Sequence, residues 1–308
     1  MPDLITPSRA AQNPTLASLS AANPGYLASL LTAASDAIRR ACGRDFTLCS
    51  YTEYQSGGIY IREPLRLRQF PVVEITRVAC NPRPALLVQN GDGIANQRAT
   101  VETTATSVRL VRIASAVATT NDLLYANYPT IASMASAINA LGGGWAATVR
   151  GEFANWPSAD FRPLQGAAAV LVGGRDLELY TEAVQPSAAW SDAGGSGADG
   201  VEDYSQGAAG WRLDDETGEL FGRFPRGQLN LRIDYRAGFA TIPQPVQEAC
   251  VQLVQDLYQA GLVNNTLKKA TLGASSVELK SSTVATQLSP KVQLLLSPYR
   301  DYAKSIFR

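Results

Sequence analysis

YRAGFATIPQPVQEACVQLVQDLYQA, Tyr235 to Ala260, decides how the rest of the chain is read. A run with two-residue alternation (Leu229, Leu231, Ile233, Tyr235) halts at Gly238, turns through Ile242, Pro243 and Pro245, and becomes an amphipathic helix. On that helix Val246, Ala249, Cys250, Leu253, Leu257 and Ala260 recur at helical spacing, so one stripe must be buried. The partner expected for it is a second amphipathic helix near the start of the chain. There Asn23 is an N-cap with Pro24 at the first helical position, and Leu27, Leu30, Leu31, Ala34, Ile38 and Ala41 form the stripe that Gly43 ends.

Between these helices stand the turn GRDF (Gly43 to Phe46) and the strand-like PLRLRQFPVVEITRV (Pro64 to Val78). The ordered set is a helix closed by Gly-Arg-x-Phe, then L-x-L-x-x-F-P-V-x-x-I from Leu65, then Y-R-A-G-F from Tyr235, then I-P-x-x-V-x-x-A from Ile242. It resembles the head-tail connector (adaptor) proteins of long-tailed bacteriophages. The resemblance covers residues 23–81 and 228–262, with a weaker match at Leu288 to Tyr302. It implies a structural virion protein in the neck between capsid and tail, made in the host cytoplasm. Such proteins close into a ring of about twelve copies below the portal. The ring extends the DNA channel and docks the stopper or tail terminator, while genomic DNA passes through without sequence-specific binding. Family members are shorter, so residues 82–210 read as an insertion whose role the resemblance does not supply.

The expected fold class is α+β: a helical connector-type base domain with a small β-sheet, plus an inserted, mostly-β α+β domain. The expected organisation is a flexible arm at 1–22, a base at 23–81 and 211–263, the insert at 82–210 with a Gly-rich linker at 186–210, and a C-terminal extension at 264–308. The arm is rich in Ser, Ala, Thr and Asn and reads as a frayed terminus, or as a segment that orders on a neighbouring subunit. In the insert, strands are expected over Leu86–Gln89, Ala99–Thr103, Val108–Ile113 and Trp145–Val149, with a helix over Ile131–Leu141 stopped by Gly142 to Gly144. A hairpin is expected from Trp211 to Pro225. The polar stretch 264–288 is too weakly patterned for a stable helix or core strand. The last helix opens at Ser289-Pro290 and should break near Ser297, before Pro298.

With 27 basic and 27 acidic residues, no global field draws the chain to nucleic acid or an anionic membrane. The longest apolar run, Ala167 to Val172, is too short to span a bilayer, and no membrane partner is expected. There is no histidine, so Ser/His/Asp and Cys/His nucleophile arrangements are excluded, and no phosphate-binding loop motif occurs. Asp214, Asp215, Glu216 and Glu219 crowd one turn and read as hairpin-tip residues. The cysteines Cys42, Cys49, Cys80 and Cys250 lack metal-ligand spacing and read as small core hydrophobes. No enzyme activity, cofactor or metal is expected.

Two groups of residues are the candidate partner contacts. One is Leu288, Val292, Leu295, Leu296, Tyr299, Arg300 and Tyr302 on the last helix, facing the portal or a neighbouring copy. The other is Arg62, Arg66 and Arg68, which alternate with apolar residues and so share one face. The alternative function is a peripheral tail, baseplate or decoration protein whose insert binds host-surface glycans, with Trp145, Trp156, Trp190 and Trp211 as stacking platforms.

Overall fold

The computed structural model describes residues 2–57, 64–184, 211–222, 224–262, 269–272, 275–278 and 288–300. The fold is α+β, with 31% helix and 40% strand. Three helices come first: α1 (Pro7–Ala10), α2 (Pro14–Ala22) and α3 (Pro24–Cys42). After them come strands β1 (Cys49–Gly57), β2 (Leu65–Arg66) and the long β3 (Val72–Asn90). Next are β4 (Asn96–Thr103), β5 (Ser107–Ala114), β6 (Val117–Leu124), α4 (Ile131–Ala140), β7 (Trp145–Val149), β8 (Ala168–Ala169) and β9 (Gly174–Ala183). The chain returns through β10 (Trp211–Asp214), β11 (Glu219–Gly222), β12 (Gly227–Ala237) and α5 (Gln244–Leu262). It closes with the hairpin β13 (Lys269–Leu272) and β14 (Ser275–Glu278), then α6 (Pro290–Leu296) and a 3-10 turn at Ser297–Tyr299. No helix among the described residues is long and apolar enough to cross a membrane.

The two stripes meet as their spacing requires. Leu27, Leu31, Ala34 and Ile38 of α3 share one core with Val246, Ala249, Cys250 and Val254 of α5, all with no solvent exposure. Gly43 ends α3 in the left-handed region (φ 71°, ψ 13°) with its N–H on the Arg39 carbonyl, a conformation other residues adopt at a cost.

The N-terminal residues depart from the expected arm. Leu4, Ile5, Leu16 and Leu19 are buried in the same helical core, and the Leu4 N–H donates to Ser35 Oγ at 3.0 Å. Composition hid this, because the segment holds few large apolar residues and nearly all of them are used. Each short helix is also started by a side-chain cap and a proline: Thr6 accepts from the Arg9 N–H, and Asn13 from the Thr15 N–H. Leu16→Ala should therefore destabilise the protein by about 3 kcal/mol in denaturant unfolding. A frayed arm would tolerate the change.

The five-stranded sheet joins base and insert. β1, β12 and the first half of β3 form its base end, through registers such as Tyr51↔Tyr235 and Tyr235↔Ile75. The second half of β3 continues into the insert, paired with β7 on one side and β9 on the other. The boundary expected at residue 82 thus falls inside a strand. Pro82 and Pro84 suggested a break there, but they lie between the end of β12's pairing at Ala79 and the start of β7's at Leu86. A strand bonded on one side only tolerates proline.

The insert's own core comes from β3 to β9 and α4: Leu86, Val101, Leu110, Ile131, Met134, Ile138 and Leu179 are fully buried. Strand β6 carried no sequence signal, since its burial does not alternate. It forms because Ser115 and Ala116, both at positive φ, make a two-residue turn that lays it along β5. The hairpin expected from Trp211 is β10–β11, extended by β2, and Asp214 Oδ1 accepts the Glu216 and Thr217 N–H groups in its turn. In the C-terminal stretch, where no strand was expected, β13 pairs with β14. The last helix ends at Leu296, as Pro298 demands. The linker 186–210 lies outside the described residues.

Cys42, Cys80 and Cys250 are buried and Cys49 is exposed. Burial pushes the Cys42 thiol up to about 11 and the Cys250 thiol up to about 12. Little thiolate is then present at neutral pH. A short iodoacetamide pulse on the folded protein should label Cys49 and spare the other three, which react only after denaturation. Peptide mass spectrometry reads this directly.

Candidate functional site

The motifs that are far apart in sequence converge on one side chain, Arg44 of the GRDF turn. Gly43 reverses the chain at the end of α3 and sends the Arg44 guanidinium inward, where the residue is 7% exposed. Four rings surround it: Phe70 at 4.4 Å, Phe46 at 5.6 Å, Tyr299 at 5.8 Å and Phe239 at 6.0 Å from the guanidinium carbon. Arg44 Nη1 also donates to the Phe70 carbonyl at 3.1 Å. A desolvated cation among aromatic faces is held by about 2 kcal/mol per good contact, and arginine's planar fork lets it hydrogen-bond in plane while rings cover its faces.

The cage links four parts of the fold. Phe46 comes just after α3, Phe70 belongs to the F-P pair before β3, Phe239 ends Y-R-A-G-F, and Tyr299 comes just after α6. The rings also touch one another: Phe46 stacks on Phe239 at 6.3 Å, and Tyr299 meets both edge-on at 6.0 and 6.2 Å. Beside them Arg39 and Asp45 form an ion pair of 2.8 Å with side chains 10% and 8% exposed, and the Asp45 N–H donates to Gln69 Oε1. Tyr235 donates its hydroxyl to Glu53 and accepts the Gln69 N–H. Burial, reinforced by Glu53, raises the Tyr235 phenol far above its ordinary value, so it stays protonated.

Gly238 explains the glycine of Y-R-A-G-F. Its φ is 110°, and a Cβ there would lie 2.5 Å from the Thr47 carbonyl oxygen. That approach lets the Gly238 N–H reach the Pro71 carbonyl and the Phe239 N–H reach the Phe46 carbonyl, both at 2.9 Å. Next to the knot a cleft of about 540 Å³ opens between Leu4, Arg9, Thr47, Phe239 and Gln247.

A second constellation joins base to insert. Asp160, 5% exposed, receives a two-pronged Arg77 (2.8 and 3.1 Å) and Arg232 (2.7 Å). Arg232 also bonds the Ala159 carbonyl and Asp234, whose carboxylate accepts the Thr52 hydroxyl at 2.6 Å. Arg77 lies on β3, Arg232 on β12 and Asp160 in the insert, so the charges bridge the two halves.

The contact residues expected from sequence are distributed unevenly. Val292 and Leu296 are fully buried in the helical core, and Leu288, Leu295 and Tyr299 are packed against it. The apolar stripe of α6 is satisfied within its own chain, so Val292 and Leu296 are corrected from surface contacts to core. The exposed side of this helix presents Leu294 instead, at 74%. Arg300 is half-buried, while Tyr302 and Arg62 lie outside the described residues. Arg66 and Arg68 are exposed and alternate with the buried Leu65 and Leu67. Arg66 sits over the Phe70 ring at 5.7 Å, and the Arg68 backbone N–H donates to Glu53.

Arg44, Asp160, Arg77 and Arg232 were not singled out by sequence reasoning. Arg44 carried a signal, because an arginine inside an aromatic-flanked motif has partners to find. Asp160 carried none. Trp145 is buried, Trp156 packs on Phe153 and Trp211 donates to the Val184 carbonyl, so none of these three is an open stacking face. Trp190 lies outside the described residues. In comparisons with known proteins, no family model matches the chain and no curated protein matches it.

Proposed function

We propose that this chain is a structural subunit of the neck of a tailed bacteriophage, a head-tail connector that closes into a ring of about twelve copies below the portal. The observation that carries the reading is the convergence of its motif residues. GRDF at the end of α3, the F-P pair and Y-R-A-G-F meet around Arg44, and α3 and α5 share the adjoining core, although the insert separates Y-R-A-G-F and α5 from the others in sequence. That the quoted motif residues pack together rather than scatter over the fold supports reading them as one set.

In this reading α3 and α5 are the scaffold of each subunit, and lateral packing of identical copies closes the circle. The balanced charge suits a lumen through which DNA slides without being held. The insert projects outward, because in the lumen it would obstruct DNA. The portal or a neighbouring copy meets the exposed side of α6 around Leu294, and a basic strip of Arg66 and Arg68 offers a second contact. The glycan-binding alternative gains no support from the tryptophans, since the three described ones serve the fold. No catalytic role is proposed.

Negative-stain electron microscopy of the purified full chain, alone and mixed with isolated portal rings, tests this. The expected images are closed rings with a central hole, or portals carrying an added ring. Particles that neither close nor bind a portal at micromolar concentration would sink the proposal.

A further inference from the structure

The outer edge of β6 is an open strand. The four-stranded sheet runs β6-β5-β4-β8, with β6 at its end. The β5–β6 ladder is unbroken from Ala114↔Val117 beside the turn to Ser107↔Leu124. In a hairpin closed by a two-residue turn, the pair next to the turn is hydrogen-bonded and bonding alternates from there. The backbone groups of Val117, Thr119, Asn121 and Leu123 therefore face β5. Those of Ala118, Thr120 and Asp122 face outward, and among the described residues no other element bonds to them.

Two other edges of this chain are met by neighbouring groups: along β9 the Arg162 N–H bonds the Glu178 carbonyl, and along β7 the Asn139 side chain bonds both the N–H and the carbonyl of Ala147. Edge strands are ordinarily blunted by charge, proline or a bulge. From Val117 to Asn121 there is none of these, and residues 117–120 are exposed, Val117 at 66%. The one charge on the strand, Asp122, is engaged by Arg109 at 2.7 Å.

We propose that β6 pairs antiparallel with β6 of a second copy, about a two-fold axis at Thr120. The edge is its own complement. In this register Thr120 faces the partner subunit's Thr120, and Ala118 faces the partner subunit's Asp122, so every outward N–H and C=O finds a mate. Like charges are not juxtaposed: the two Asp122 carboxylates stand about 13 Å apart along the strands, beyond a Debye length of about 8 Å. Threonine opposite threonine is a favourable cross-strand pair. The contact is isologous, so it differs in symmetry from head-to-tail ring closure and does not depend on it.

The experiment combines amide hydrogen exchange with sedimentation on the full chain. Exchange at Ala118, Thr120 and Asp122 should be slowed at least about ten-fold at concentrations where the protein associates, and should speed up on dilution. Thr120→Pro removes an outward N–H without touching the β5 ladder, so it should keep the melting temperature and lose both the protection and the doubling in mass. Thr120→Lys, which sets two like charges across the axis, should act the same way and serves if the proline variant misfolds. Fast exchange at these amides in an associated wild-type sample, or undiminished pairing in both variants, overturns the proposal. A ring that persists in Thr120→Pro while wild-type β6 amides are unprotected would leave the connector reading intact and remove this one.

Discussion

Gly238→Ala is expected to cost about 3 kcal/mol or more, enough to leave the purified protein partly unfolded or to lower its melting temperature by roughly 10 °C. Two effects add. A φ of 110° is open to glycine and strained for any residue with a Cβ, and the new methyl would sit 2.5 Å from the Thr47 carbonyl oxygen and 2.7 Å from its carbon. Those atoms are backbone, so no rotamer change relieves the contact. Either β12 moves away from Thr47, breaking the Phe239 N–H bond to Phe46, or the turn refolds. In both cases Phe239 leaves the Arg44 cage. Differential scanning calorimetry gives the size of the loss, and near-ultraviolet circular dichroism reports the aromatic cluster. Wild-type stability in the variant would show that the close approach at Gly238 is not needed.

Asp160→Ala should cost about 3 kcal/mol by a different route, leaving two arginines without the carboxylate they share. Arg232 has the larger share, because its side chain is 13% exposed while Arg77, at 33%, recovers water on losing its partner. The loss should be local. Hydrogen exchange is expected to quicken at Arg77 to Ala79 and Arg232 to Asp234, where β3 and β12 pair, and to change little in the helical core. Asp160→Asn, which keeps the shape but not the charge, should recover only part of the stability. An exchange pattern identical to wild type would mean that the insert is held to the base by packing alone.

These two positions also show where sequence reasoning reaches its limit. Gly238 was legible, because a glycine between an alternating run and an amphipathic helix marks a turn, and the stripes of α3 and α5 required each other. The hairpin at Trp211 and helix α4 were legible for the same local reasons: turn residues, period and a glycine stop. Asp160 was not, since its partners lie on strands about eighty residues before and seventy after it, and no spacing rule links them. The N-terminal helices were hidden by composition, which averages over residues while folding uses only the few that are buried. Strand β6 was hidden because neither of its faces alternates in burial; a turn at Ser115 and Ala116 recruits it, and those residues carry no glycine to announce positive φ. The α6 residues were identified as apolar, but a stripe does not say whether its own chain or another molecule will cover it. Here Val292 and Leu296 are covered by α5 and its neighbours.

The same distinction bears on the connector reading. The Arg44 knot explains why the motif residues are the types they are, and around it stand the helical base, an insert built on the far half of β3, and a C-terminal helix that exposes Leu294 among the described residues. The measurement that tests this most directly is immunogold electron microscopy of tailed particles purified from a lysate that contains the protein, with antibody raised against the inserted region. The account predicts gold at the collar between head and tail, on the outside of the neck. Gold at the tail tip or fibres, or protein abundant in the lysate and missing from particles, would contradict it.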